Sequence, residues 1–258
     1  MMFLSKPGEY PPCGLFSIGH LILFVATIIV VIFATKYTKI KEKEDVKRII
    51  KSATIIVWIL EFLKVAFVFS IGEGTKLNRV VPLYYCSLLL YTGVLSSIGK
   101  GIVRRVGDVF LATGAIFAGL IFLIFPTTSL PEYPAMHFVS LHSFFFHGTM
   151  MYLGIIMHKY NYIEIKKSDI IYYSGLILII CVAAYIVNCL YGSNLMFISH
   201  DFPGTPITIV YKFAGKWFPI VMSLLQMTLP FYIVYGIMLF KNKLTEKFSE
   251  KKMLVSKN

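Results

Sequence analysis

One cysteine and three histidines are the residues of this chain with the widest chemical reach. Cys86 stands in Pro82-Leu-Tyr-Tyr-Cys86-Ser87, and His137, His142 and His147 follow at five-residue intervals. A thiol beside an imidazole is the arrangement for thioester chemistry: the ring takes the proton and the sulfur attacks an acyl carbonyl. Asn188 and Asn194 carry side-chain amides that, like backbone N–H groups, could stabilise the resulting oxyanion. On a helix, His137 and His147 lie within roughly 80° of each other and ~15 Å apart along the axis, while His142 points about 140° from His147. A plainer reading stands beside this one. Cysteine in an apolar core is usually inert packing, and a histidine in an apolar helix is usually a tie to its neighbour.

Two further ionisable residues, Glu61 and Lys64, interrupt an apolar run. At i, i+3 they share a helix face and can pair. Both a buried structural ion pair and the lining of a substrate cavity are open to them. Asp108, beside Arg104 and Arg105, reads as a solvated helix cap. The four cysteines, Cys13, Cys86, Cys181 and Cys189, are widely spaced without a C-x-x-C. Neither a metal site nor a disulfide framework is indicated, and no cofactor is expected.

The elements that must position these side chains are membrane helices. Seven apolar runs dominate the chain, at about 17–34, 52–71, 82–98, 107–124, 136–157, 170–187 and 218–240. Each approaches the ~20 residues a helix needs to cross a hydrocarbon layer of ~30 Å, far above the ~10 of a barrel strand. Hydrophobic residues make up 57% of the chain and charged residues 15%, with a mean hydropathy of +0.74. A soluble domain carries ~25% charged residues and could not hide this much apolar surface. The expected fold is an all-α, seven-helix bundle forming a single membrane domain over 1–258.

Charge sets the orientation. Of the 25 basic residues, 19 fall in the first, third and fifth connections and in the tail after 240. The tail alone holds Lys241, Lys243, Lys247, Lys251, Lys252 and Lys257. The second connection has only Lys76 and Arg79, the fourth none, and the sixth Lys212 and Lys216. Lys and Arg are retained on the cytoplasmic side during insertion, so the N-terminus is expected outside and the C-terminus inside. This distribution explains the net charge of +12 without nucleic acid, and it suits contact with anionic lipid headgroups. The first apolar run is too long for a signal-peptide core and should stay as a helix. Cys86, the histidines and the Asn turn then converge on the outer half of a multi-pass protein of the cell membrane.

Four pieces in order carry a family resemblance: Glu61 in the second run, Val81-Pro-Leu-Tyr-Tyr-Cys86, His137 with His147-Gly148, and Asn188-Cys-Leu-Tyr-Gly192-Ser-Asn194-Leu-Met-Phe197. Together they resemble the YwaF-like bacterial integral membrane proteins, which are similar to the vertebrate transmembrane-protein-164 acyltransferases. Tyr85 stands near where that pattern has a further His, and Met136 where it favours Pro. The resemblance implies a thiol nucleophile at Cys86 and a base at His147 or His137, acting on acyl chains of membrane lipids.

Three functions stay open on sequence: a lipid acyltransferase or acyl hydrolase, a transporter with Glu61 and Lys64 on its path, and a non-enzymatic membrane protein. The first needs Cys86 within ~4 Å of a histidine ring in one lipid-accessible cavity, with Asn188, Asn194, Glu61 and Lys64 binding substrate. The second needs a polar path to the cytoplasmic side. The third needs every polar group paired and no cavity. Phospholipids or other acyl lipids are the expected partners, and the oligomeric state is not encoded legibly.

Overall fold

The computed structural model describes residues 2–255, with side chains described to Leu244 apart from Asn242. Lys257 of the basic tail, and the side chains of Lys247, Lys251 and Lys252, lie outside the described residues. Ten α-helices make up the frame: α1 Ile18–Tyr37, α2 Lys43–Ser70, α3 Leu77–Val80, α4 Leu88–Ile98, α5 Gly101–Ala112, α6 Gly114–Ile124, α7 Phe138–Lys159, α8 Ile170–Tyr191, α9 Ile207–Ala214 and α10 Phe218–Val255.

Among the described residues, six helical stretches are long and apolar enough to cross a membrane: α1, α2, α5–α6, α7, α8 with the turn before it, and α9–α10 through Lys241. The expected third run departs from this. Only Leu88–Ile98 is helical there, 11 residues long, which rises ~17 Å against the ~30 Å of a hydrocarbon core. Pro82 sets the extended backbone that precedes this segment, because it biases the residue before it away from the helical region. Val81 is extended, with φ −84° and ψ 116°. Residues 84–87 then turn into α4.

α7 is the central post. It packs against α1, α2, α5 and α6, and α10 closes the far side against α6 and α8. Gly119 lets α6 and α7 touch, since a Cβ there would sit 2.7 Å from the His147 carbonyl oxygen. α5 and α6 meet at Thr113, where φ −128° and ψ −78° break the helix. The break frees the Ala112 carbonyl, which accepts from His158 Nε2 at 2.6 Å. Pro230 does the same within α10. It cannot donate to the Gln226 carbonyl, which instead accepts from Tyr173 OH at 3.3 Å. Backbone groups in lipid need such internal partners. Thr27, Thr54, Thr92 and Thr149 answer the same need by donating to the carbonyl four residues back. The faces of α1 and α8 turned away from the bundle expose Ile22, Ile29, Phe33, Ile179, Val182 and Ile186, the surface a lipid environment covers.

The connections sort into two ends. Arg79 reaches Glu132 at 2.6 Å, the Asn194 amide donates to Asn78 Oδ1 at 3.0 Å, and the Cys13 amide donates to the Tyr133 carbonyl at 3.0 Å. The N-terminal segment and the basic-poor connections therefore share one end. At the other, Arg105 binds Asp169, Arg104 donates to Tyr162 OH at 2.6 Å, and Lys159 donates to the Thr35 carbonyl at 2.5 Å. Asp108 is not the solvated cap that its sequence neighbours suggest. It is buried in the second turn of α5, where Ser96 Oγ donates to it and Arg104 Nε lies 3.5 Å away. Gly107 brings α5 against the backbone of Thr92 and Ser96, which sinks the carboxylate into the α4–α5 contact.

Candidate functional site

The turn before α4 positions Cys86. Tyr91 OH donates to the Pro82 carbonyl at 3.1 Å. Among the described residues, the backbone N–H groups of Tyr84, Tyr85, Cys86 and Ser87 have no backbone acceptor. The amides of Cys86 and Ser87 approach the Cys86 sulfur. Cys86 thus lies at the amino end of a helix, where unpaired N–H groups and the helix dipole both favour negative charge.

Cys86 faces a cavity of about 470 Å³ that Glu61, Lys64, His142 and His147 also line. Its walls are largely apolar: Phe117, Ile121, Phe122 and Phe125 from α6, Met222, Leu225 and Leu229 from α10, and Ile207 and Val210 from α9. Toward the basic-poor end its lining continues with Asn78, Arg79, Thr127 and Glu132.

The two cavity histidines differ in what holds them. His147 Nδ1 lies 2.7 Å from the Ser143 carbonyl, and a carbonyl can only accept. That fixes the tautomer, with the proton on Nδ1 and a lone pair on Nε2. The ring also stacks on Phe122 with centroids 3.6 Å apart. The lock leaves Nε2 as the ring's free acceptor. His142 is 7% exposed, and neither of its ring nitrogens has a hydrogen-bond partner among the described residues. Its Nε2 lies 3.6 Å from Glu61 Oε2, while Glu61 Oε1 receives Lys64 Nζ at 2.5 Å. Sequence spacing directs His142 away from His147, yet one cavity reaches both. Val139, His142, Ser143, Phe146 and His147 form one stripe of α7 along the cavity, and the two histidines are its opposite edges. The signal available in sequence was the pair Glu61 and His142, two ionisable residues in apolar runs that each need a partner.

Three of the other residues singled out from sequence lie outside this cavity. His137 caps α7: its Nδ1 accepts from the Val139 amide at 3.1 Å and its Nε2 donates to the Ser5 carbonyl at 3.1 Å. Tyr133 stacks on the ring at 4.2 Å. Both nitrogens are therefore occupied in tying the N-terminal segment to the bundle. Asn188 is saturated too. Its Nδ2 donates to the Leu195 carbonyl and Ser199 Oγ, and its Oδ1 accepts from Ser193 Oγ and the Leu195 amide. Asn194 Oδ1 accepts from the Ser199 and His200 amides, and its Nδ2 donates to the His200 carbonyl. These two side chains hold the turn that carries Met196 and Phe197 at positive φ, 56° and 52°. That turn places Phe197 on the cavity wall against Tyr84, with centroids 5.0 Å apart. Gln226, unremarked in the sequence, is also in the wall. Its Nε2 donates to the Met196 carbonyl at 2.7 Å and its Oε1 has no partner among the described residues.

The arrangement supplies a thiol, an oriented imidazole, free amides at a helix terminus and an apolar space for an acyl chain. Among the described residues no group of three or more His, Cys, Asp or Glu could hold a metal ion.

The family model described as the TMEM164 family matches residues 15–238. The chain belongs to that family and is a multi-pass membrane protein. No curated protein and no solved structure matches it.

Proposed function

We propose that this TMEM164-family protein moves or removes acyl chains of membrane phospholipids at the outer leaflet of the cell membrane, with Cys86 as nucleophile and His147 as its base. Its origin is read as the YwaF-like bacterial branch, on the motifs around Cys86 and His147. The observation that carries the reading is the shared cavity. It joins Cys86, His147 and the turn before α4 to apolar walls. In the reaction, Nε2 takes the thiol proton and sulfur adds to the ester carbonyl. The Cys86 and Ser87 amides stabilise the oxyanion. The ester C–O bond then breaks, and the leaving alcohol takes the proton from His147.

Transport is less well supported. Between Glu61 and the basic end, fully buried Ile50, Val57, Leu89, Leu90 and Phe110 pack the bundle, and the buried hydroxyls of Thr54 and Thr92 are spent on carbonyls of their own helices. Seven crossings with the N-terminus outside complete the reading. The third consists of the irregular segment at 82–87 together with α4, protected from lipid by α2 and α5 on either side.

The test is a covalent intermediate. Protein in lipid nanodiscs is incubated with a phospholipid bearing an alkyne-tagged acyl chain, then analysed by intact mass and by peptide mapping. The expected product is a hydroxylamine-labile acyl group on Cys86, absent from Cys86→Ala. A tag on another residue, or none in wild type while lipid turnover proceeds, overturns Cys86 as nucleophile.

A further inference from the structure

α9 is loosely tied to the bundle, yet it forms one wall of the cavity. It has eight residues, Ile207–Ala214, none of them buried. Gly204 and Gly215 bracket it at φ 79° and 51°, values open to glycine and strained for other residues. Among the described residues, every side-chain hydrogen bond of 205–214 stays within 202–208. Tyr211 leans on Phe218 with ring centroids 5.0 Å apart, and Phe202, before the helix, rests on Phe197 at 4.7 Å. Apolar contact between two glycine pivots is therefore what holds α9 in place. Its two faces meet different surroundings. Ile207 and Val210, at i, i+3, line the cavity. Ile209 and Phe213, at i, i+4, point away from it and are 61% and 89% exposed. Trp217 is exposed just beyond them, and Ile220 and Leu224 are bare on α10, where lipid covers the span. Lys212 and Lys216 lie among these residues, with Lys216 Nζ 5.7 Å from the Trp217 ring centroid. Neither lysine has a carboxylate partner among the described residues. The connection stands at the basic-poor end, where the Asn194 amide meets Asn78. Apolar side chains bordered by Trp and Lys are suited to the headgroup–acyl boundary of a bilayer, and free ammonium groups match its phosphates.

We infer that α9 is an interfacial lid. Its outward face, Ile209 and Phe213 with Lys212 and Lys216, binds the headgroup–acyl boundary of the outer leaflet, with phospholipid phosphates at the two lysines. Its inward face, Ile207 and Val210, closes the Cys86 cavity on the lipid side. The bilayer thus holds the lid shut, and a lipid passing from the leaflet into the cavity turns α9 about Gly204 and Gly215. The inference rests on the proposed reading only for which end of the bundle is the outer one. It requires no acyl transfer.

The experiment first locates α9 and then unseats it. The chain has two tryptophans, so Trp58→Phe with Trp217→Phe leaves Phe213→Trp as a single emitter on the outward face. The full-length protein is placed in liposomes of phosphatidylcholine and phosphatidylglycerol whose chains carry bromine either next to the ester or near the chain end. Bromine next to the ester should quench the emission most, with little quenching by chain-end bromine or by iodide in the buffer. Strongest quenching from the chain end would put α9 in a transmembrane span and overturn the inference. Quenching by iodide with none by bromine would put the face in water, open to a protein partner, and overturn it as well. The second arm keeps Cys86 as the sole thiol, through Cys13→Ser, Cys181→Ala and Cys189→Ser, and supplies a phospholipid with a maleimide at the end of one chain. Ile209→Glu with Phe213→Glu should lift α9 from the boundary and label Cys86 several-fold faster than the parent. Both side chains are exposed, so the monodisperse species in size-exclusion chromatography should persist, and full labelling after denaturation confirms a free thiol. Lys212→Gln with Lys216→Gln should raise the rate by less. Labelling unchanged by the double Glu variant overturns the lid. Neither arm reads acyl transfer, so these failures leave the Cys86 reading standing, and an absent acyl-Cys86 leaves the lid standing.

Discussion

Lys64 Nζ stands 2.5 Å from Glu61 Oε1, one helical turn away on α2, and the second carboxylate oxygen of Glu61 is directed at His142. Glu61 is buried and Lys64 half-buried, and both line the cavity that Cys86 also lines. A salt bridge in this setting does more to organise its neighbours than to stabilise the bundle, because desolvating two ions offsets most of their attraction.

Removing one partner of that pair is the informative change. Glu61→Leu leaves an uncompensated ammonium in the bundle and should cost about 3–5 kcal/mol. Detergent-solubilised protein should show this as a lower yield of the monodisperse species in size-exclusion chromatography. Glu61→Leu combined with Lys64→Met removes both charges and should restore most of that yield. Lipid turnover should stay absent in the double variant. Full activity there would make the pair purely architectural.

His137 and His147 should separate cleanly. His137→Ala removes the cap of α7 and the anchor for Ser5, a loss of about 0.5–2 kcal/mol for a cap. Faster proteolysis between Lys6 and Cys13 should report it, with acylation of Cys86 retained. His137→Asn, which can still cap, should recover most of the protection. His147→Ala should leave the proteolysis pattern unchanged and abolish acylation. Loss of acylation on removing His137 would restore it to the reacting groups.

Sequence made the apolar helices and the charge sorting legible, because hydropathy and charge are properties of single segments. It did not disclose the shortened α4. Leu88–Ile98 and the residues before it belong to one apolar run, so hydropathy does not mark where the helix begins. The break at Thr113 is invisible for a similar reason: Gly107–Ile124 is one apolar run, and Thr113 bonds back to Val109 as helical threonines do. The roles of Asn188 and His137 depended on partners from distant segments, Ser199 and Ser5, that no helical period brings together. The 140° between His142 and His147 spans one broad cavity face of α7, a width that helical spacing alone does not disclose.

Close helix approach at Gly119 supports the site from behind. A Cβ there would meet Met151 Cγ at 2.5 Å and the His147 carbonyl at 2.7 Å. Gly119→Val should push α6 from α7, disturb the Phe122–His147 stack, and destabilise by about 1–3 kcal/mol, the usual penalty of overpacking. Gly175→Ala is the matched control. Nothing lies within 4 Å of a Cβ added there, so the gain in helix propensity of about 0.5–1 kcal/mol should raise stability. Thermal unfolding followed by tryptophan emission reads both, with Trp58 on α2 as a reporter beside α4.

The remaining prediction concerns α4 and decides the topology. With 11 residues it cannot cross alone, and two arrangements are physically distinct. If the segment from Val81 to Ile98 crosses, the chain passes seven times and its termini lie on opposite sides. If it enters and returns, six crossings put both termini on one side. The contacts favour crossing. The residues preceding α4 meet the end that holds Asn78 and Glu132, while the Gly99–Gly101 turn leads to Arg104 and Arg105, which bind Tyr162 and Asp169 at the other end. The basic residues of that second end then fall on the retained side, as charge sorting requires. A single cysteine at Lys76 in a background without native cysteines should react with a membrane-impermeant maleimide on intact cells. One at Lys166 should react only after permeabilisation. Terminal tags active only in different compartments should report opposite sides for Met1 and Asn258. Tags reporting the same side would establish α4 as re-entrant and reduce the bundle to six crossings.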